Sequence, residues 1–233
     1  MILKEIEMDL PYPISTYNAK ESSSLESIKA DYETNWKALR RQFQLETRCM
    51  TSMIERIIPR IKTDDCWKIL IECVSTLPKE KCTNLLGVYC VQISFDVNDY
   101  WGMDSTKKKQ YVVSKILEAI DKISECTDIC LTQIVEACHT ISELSYVNSW
   151  LWKSPIKGKY GYVQIKLVHD IEAIDIYMIF LDRNKRVFSQ KLLVSTPPHE
   201  MVYSKYLGKL EWIAEDAAKL TTKYGDSFVG SPK

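Results

Sequence analysis

Glycine is scarce in this sequence, with only seven among 233 residues. Loops that cradle phosphate need glycine, because backbone amides must approach the ligand closely. The chain contains neither a G-x-x-x-x-G-K-[ST] nor a G-x-G-x-x-G pattern, and H-E-x-x-H, G-x-S-x-G and D-x-D-x-D-G motifs are also missing. We therefore expect no catalytic, cofactor or metal site of these kinds.

Neither sign of charge is in excess. Lys plus Arg and Asp plus Glu each total 31, so the formal net charge is zero. Most nucleic-acid-binding proteins use a general positive field to attract phosphates. Direct nucleic-acid binding is therefore not expected, although a neutral chain can still carry a local basic patch.

Long apolar runs are also missing. The longest, residues 176–181, is far shorter than the roughly 20 residues of a membrane-spanning helix. The first nine residues mix acids with apolar residues, unlike a signal peptide, so no membrane association is expected. Eight cysteines in a chain without an export signal suggest a reducing compartment. We expect a cytoplasmic protein in which most cysteines are buried.

Apolar periodicity predicts an α+β fold, with a mainly antiparallel sheet, helices packed against it, and a single domain over residues 1–233. After an extended lead-in over residues 1–23, apolar residues at helical spacing predict an N-terminal helix from about Ser24. Helical spacing continues to Pro59, which should end or kink the helix.

A helical hairpin is predicted in mid-chain. Asp104 is expected to cap its first helix, and either Thr127 or Asp128 its second. Alternation predicts strands on both sides of this hairpin, although residues 66–74 also fit a helix. The predicted strands cover residues 66–74, 85–95, 163–167, 175–181 and 187–194, and the last two should form a hairpin.

After Pro197 and Pro198, the pattern predicts a helix around residues 214–219 and a flexible tail over residues 226–233. No internal repeat or low-complexity linker marks a domain boundary.

Cysteine and histidine are the remaining candidates for chemistry. Cys126, Cys130, Cys138 and His139 suggest zinc, but one helix cannot bring all four together at about 100° per residue. No cysteine has a recognisable nucleophile signature. His169 beside Asp170 is more typical of a hydrogen-bonded surface pair than of a catalytic dyad. We therefore predict no catalytic, metal or cofactor-binding residue.

Lys107, Lys108 and Lys109 form a basic triplet at the start of a predicted helix. Two interpretations stay open. The triplet contacts an acidic partner, or it is a solvated face, which is the usual role of a short charge run.

Aromatic residues and both signs of charge crowd residues 196–212. Tyr and Trp anchor protein interfaces well because they combine a large apolar area with a polar tip. The same aromatics are equally suited to cap the core. The predicted partner-binding residues are Tyr203, Lys205, Tyr206, Lys209, Glu211 and Trp212.

Over roughly residues 60–225 the chain resembles bacterial immunity-type proteins, the inhibitors encoded beside polymorphic or contact-dependent toxins. The resemblance rests on Trp101 to Val112, Trp152 to Pro155, Pro197 to Glu200 and Lys205 to Trp212. It implies a cytoplasmic protein that binds one toxin domain, often a nuclease, and blocks it. Such inhibitors of basic nucleases are often acidic, whereas this chain is neutral.

The leading hypothesis is therefore a non-enzymatic binding protein that neutralises a cognate toxin domain. Two other classes stay open. One is an enzyme, a hydrolase or transferase that uses Cys or His, and the other is a scaffold or regulatory subunit of an oligomer.

Overall fold

The computed structural model describes residues 1–13, 24–77, 82–127 and 129–232. Helices and strands both form large parts of it, which confirms the α+β class. The chain divides into two compact units, Met1–Tyr146 (the N-terminal unit) and Val147–Lys233 (the C-terminal unit). The sequence predicted a single domain because no linker-like composition marks the division.

The N-terminal unit contains a four-stranded mixed sheet. Its strands β1, β2, β4 and β3 lie in that order; β1, β2 and β4 are parallel, and β3 is antiparallel to β4. One face of the sheet is buried, because alternate residues of β2 and β4 point into the core as predicted. The strands are β1 (Glu5–Asp9), β2 (Lys68–Val74), β3 (Cys82–Leu85) and β4 (Val88–Ser94).

Helices supply the rest of this unit: α1 (Leu25–Asp31), α2 (Lys37–Ile57), α3 (Val97–Gly102), α4 (Ser105–Cys126) and α5 (Thr132–Glu143). The first begins where predicted, because the Ser24 Oγ accepts the Ser27 N–H at 3.2 Å. The second ends at Ile57, and Ile58 before Pro59 is extended. Asp96 caps α3, a short helix that the sequence analysis did not predict.

A π-helical turn, Tyr32–Trp36, joins α1 to α2. Such a turn shifts the angular position of the residues on its two sides. The predicted single apolar face is therefore not continuous. Phe43 in α2 is fully buried, whereas Leu25 in α1 is 86% exposed.

The predicted helical hairpin corresponds to α4 and α5. Asp104 caps α4 as predicted, with its carboxylate accepting the Lys107 N–H at 2.9 Å. Thr127, however, follows the end of α4 instead of capping α5, and its hydroxyl donates back to the Ile123 carbonyl. Leu131 occupies the N-cap position of α5 without a side-chain cap. The alternative cap, Asp128, lies outside the described residues.

The C-terminal unit contains a four-stranded antiparallel sheet, β5-β6-β7-β8, and a three-stranded antiparallel sheet, β11-β10-β9. Its core joins Val163, Ile165 and Met178 of the first sheet to Ala218 and Leu220 of the second. The strands are β5 (Asn148–Lys157), β6 (Tyr162–His169), β7 (Ile174–Leu181), β8 (Val187–Thr196), β9 (Lys209–Ala214), β10 (Ala217–Thr221) and β11 (Ser227–Gly230).

The predicted β7–β8 hairpin is confirmed. Its turn is closed by Asp182, whose Oδ1 accepts the backbone N–H groups of Asn184 and Arg186, each at 2.8 Å. A short helix, α6 (Glu200–Tyr203), and a 3₁₀ turn, Ser204–Tyr206, lead from β8 to β9.

Two predictions for the end of the chain are wrong. Residues 214–219 do not form a helix, because β9 and β10 pair around the turn at Glu215 and Asp216. The predicted tail contains β11, which pairs with β10. In both segments the cross-strand partners outweigh local helix propensity, and alternation buries Ala218 and Leu220.

Within the described ranges, no helix combines the length and apolarity needed to cross a membrane.

Candidate functional site

The aromatic residues predicted to bind a partner pack against the core of the C-terminal unit. The Trp212 Nε1 donates to the Ile156 carbonyl at 3.1 Å, and its ring lies 5.9 Å from that of Phe180. Tyr203 makes an edge contact with Trp150, and Tyr206 contacts Phe228. These three side chains have the core-capping role that was the alternative interpretation.

Of the charged members of the predicted set, Lys209 is exposed, whereas Lys205 and Glu211 are half-buried like the aromatic members. Glu211 pairs with Lys209 at 2.6 Å and with Lys219 at 3.2 Å. Those two lysines lower the pKa of Glu211. The Lys205 ammonium lies 5.0 Å from the centre of the Tyr206 ring. The six residues thus do not form one exposed patch, and their partner-binding role stays a prediction.

The histidines have structural positions. His169 is only 1% exposed, so the expected surface pair with Asp170 is wrong in this respect. His199 caps α6, because its Nδ1 accepts the Met201 N–H at 3.2 Å.

The cysteines differ strongly in exposure. Cys126 and Cys130 are exposed, whereas Cys138 is buried. Within the part of the chain that the structure describes, no three His, Cys, Asp or Glu residues form a group suited to a metal ion. Burial raises the pKa of Cys138 and of Cys90 to about 12, while a hydrogen bond with Thr132 lowers the pKa of Cys130.

We expect two of the eight thiols, Cys126 and Cys130, to react rapidly with a disulfide reagent at pH 8. The attacking species is the thiolate, and the other thiols are shielded by burial or have raised pKa values. Stopped-flow absorbance on the native protein measures the number of fast thiols. Cys130→Ser should remove one of them, and Cys138→Ser should remove none. Three or more fast thiols would contradict the expectation.

One end of the four-stranded sheet β5-β6-β7-β8 brings two loops together. The register places Lys157, Tyr162, Leu181 and Val187 side by side across β5, β6, β7 and β8. The β5–β6 loop and the β7–β8 loop therefore leave the same end of the sheet. We call residues 157–162 and 182–188 together the loop end.

The loop end carries five cations, Lys157, Lys159, Arg183, Lys185 and Arg186. Only Lys159 forms an ion pair within the described residues, with Glu215 at 2.6 Å. The one acid of the loops, Asp182, is occupied by backbone N–H groups of its own turn. The C-terminal unit as a whole has 13 Lys and Arg against 9 Asp and Glu, a net charge of +4.

Exposed apolar and aromatic side chains surround these cations. Tyr160 and Phe188 are each 59% exposed, and Val187 is 54% exposed. The loop end also contains an open depression of about 550 Å³, which is lined by Lys157, Gly158, Lys159, Gly161, Tyr162 and Arg183. Aromatic residues and arginine are the side chains most often found at the energetic centre of protein interfaces.

One of the cations, Lys185, has a strained backbone conformation. Lys185 has φ of 62°, in the left-handed region that costs a non-glycine residue roughly 1–2 kcal/mol. Its ammonium lies 5.9 Å from the centre of the Tyr162 ring. A lysine therefore stands at a turn position that glycine or asparagine would occupy with less strain.

Sequence reasoning missed the loop end because its two halves are about twenty residues apart in the chain. The only local signal was the cluster of cations in each turn. No protein-family model, curated protein or solved structure matches this chain.

Proposed function

We propose that this chain is a cytoplasmic, non-enzymatic binding protein that neutralises a cognate bacterial toxin domain by direct complex formation, and that it docks through the loop end. The observation that carries the proposal is the loop end itself, where exposed aromatic side chains lie beside five cations, four of which form no ion pair within the described residues.

Binding suits this surface better than catalysis does. Lysine and arginine at the loop end are exposed. The one carboxylate in these loops, Asp182, is held by backbone N–H groups of its own turn and does not face the cations as a general base. Exposed cations and aromatics favour rapid encounter with an oppositely charged surface, followed by desolvation of apolar side chains.

The test is co-expression with the product of the neighbouring upstream gene in a sensitive bacterium. The neighbour alone should arrest growth, and the wild-type chain should restore it and co-purify with the neighbour. The variant Arg183→Glu with Lys185→Glu should lose most of the protection, because both charges at the loop end are reversed.

A matched control changes the charge by the same amount elsewhere in the unit. Lys205→Glu with Lys209→Glu alters two residues of the sequence-predicted site and should leave protection intact. The opposite pattern would move the docking surface to that site. A harmless neighbour, or one that forms no complex, would overturn the proposal.

A further inference from the structure

The strand β8 forms one edge of the four-stranded sheet. It runs for ten residues, Val187–Thr196, and pairs with β7 on one side. No other strand in the described parts of the chain pairs with its outer edge. The backbone N–H and C=O groups along such an edge are a ready template for another strand.

Apolar side chains are exposed along β8, although the strand also carries Lys191 and two bulges. Val187, Phe188 and Leu192 are 48–59% exposed, although each is strongly apolar. The bulge between the Phe180–Ser189 and Leu181–Val187 pairs leaves Phe188 without a cross-strand partner. An inward charge often blocks an edge, but the Lys191 ammonium is held by the Val229 carbonyl at 3.0 Å.

The opposite edge, β5, is different. Its register with β6 shifts between Trp152 and Ile156, and Lys153 within that bulge has φ of 58°. Pro155 removes one backbone N–H from the same segment. The β5 edge is therefore interrupted next to the loop end and is regular only at residues 148–152. The β8 edge has bulges at Phe188 and Leu193, and residues 189–192 between them keep a regular register with β7.

We propose that the partner contributes an extended, acidic polypeptide segment that adds to β8 as a fifth strand. The inference rests on the proposed function in so far as the partner is a protein. Backbone pairing with β8 holds the segment. The carboxylates of the segment reach the cations of the loop end, because β8 begins at Val187, within the loop end. A polypeptide matches both features at once, because a nucleic acid has no strand backbone to pair with β8.

The test uses purified protein and a labelled peptide about as long as β8, with alternating Thr and Val and three Asp at one end. Two versions place the Asp residues at the C-terminal or the N-terminal end, because antiparallel and parallel addition bring opposite ends to the loop end. Fluorescence anisotropy should show saturable binding of one version. Arg183→Glu with Lys185→Glu should weaken it by about tenfold or more.

Hydrogen exchange supplies the readout that charge attraction alone would not change. The bound peptide should slow exchange of backbone amides in residues 189–192, and those of β5 should be unaffected. Lys153→Glu with Lys223→Glu, at two exposed lysines outside the loop end, serves as the matched charge control and should leave binding within about twofold of wild type.

Several results would overturn the inference. These are failure of both peptides to bind, equal binding when Lys replaces Asp, or binding without slower exchange in β8. Tighter binding of a thymidine oligonucleotide would point to nucleic acid, and β8 protection that grows with protein concentration alone would point to a second copy. Growth protection without peptide binding would remove strand addition and leave the proposed function, whereas the reverse would remove only toxin neutralisation.

Discussion

Lys108→Met should lower the free energy of unfolding by about 3–5 kcal/mol. The Lys108 ammonium lies 2.8 Å from the Glu46 carboxylate, and their side chains are only 11% and 8% exposed. Removal of the lysine leaves a carboxylate buried between α2 and α4 without its counter-ion. Equilibrium denaturation of the wild type and the variant measures the difference.

The surroundings of the pair strengthen this expectation. The Lys108 ammonium also lies 5.0 Å from the ring centre of Tyr100 and 5.1 Å from that of Trp101. Tyr100 is fully buried, and burial together with the nearby Glu46 charge raises the pKa of Tyr100. An uncompensated Glu46 would therefore have few ways to regain solvation.

Two further variants separate charge from packing. Lys107→Met changes the exposed neighbour, whose side chain is 70% exposed, and should stay within about 0.5 kcal/mol of wild type. Glu46→Leu with Lys108→Met removes both charges and should recover most of the stability. A loss below about 1 kcal/mol in the single variant would contradict the expectation.

Gly161→Ala should destabilise the C-terminal unit by about 3 kcal/mol or more. A Cβ at this position would lie 2.0 Å from the Leu181 carbonyl oxygen and 3.1 Å from its carbon. Both are backbone atoms of β7, so the clash cannot be relieved by a side-chain rotation. The β6–β7 pairing must open, or the loop closed by the Gly158 N–H and the Gly161 carbonyl must move.

Hydrogen exchange is the suitable measurement, because it reports on each unit separately even if the two unfold in different steps. Amides of β6 and β7 should exchange faster in the variant. Gly102→Ala is the matched control, since nothing lies within 4 Å of its added Cβ. It should change stability by less than about 1 kcal/mol. Unchanged exchange in β6 would refute the steric argument.

Lys108 also shows where a charge pattern is insufficient. The triplet Lys107 to Lys109 was interpreted as a solvated face or a contact for an acidic partner. Its middle residue instead forms a buried ion pair with a residue 62 positions earlier. Nothing near Lys108 in the sequence identifies Glu46 as its partner, because the packing of α4 on α2 brings them together.

Elements with local chemical signals were predicted well. The cap at Ser24, the cap at Asp104, the stop before Pro59 and the turn at Asp182 each depend on atoms within a few residues. Backbone groups at such positions find their partners within a few residues, so the same chemistry is visible in the sequence and in the fold.

The candidate site, in contrast, was not predicted from the sequence. Residues 203–212 are conspicuous in the sequence, yet their aromatic members are partly buried and pack against the core. The loop end draws half of its residues from each of two turns, and each turn alone looks like an ordinary polar loop. Only the β6–β7 pairing shows that they are neighbours.

The sequence by itself determined the α+β class, the caps at Ser24 and Asp104, the stop before Pro59 and the β7–β8 hairpin, because capping, proline and alternation act over a few residues. Tertiary structure alone decided that residues 214–221 belong to the β9–β10 hairpin, that Lys108 is buried, and that five cations meet beside an open strand edge. Those outcomes depend on contacts with residues far away in the chain, and side-chain periodicity does not indicate which distant residues will be in contact.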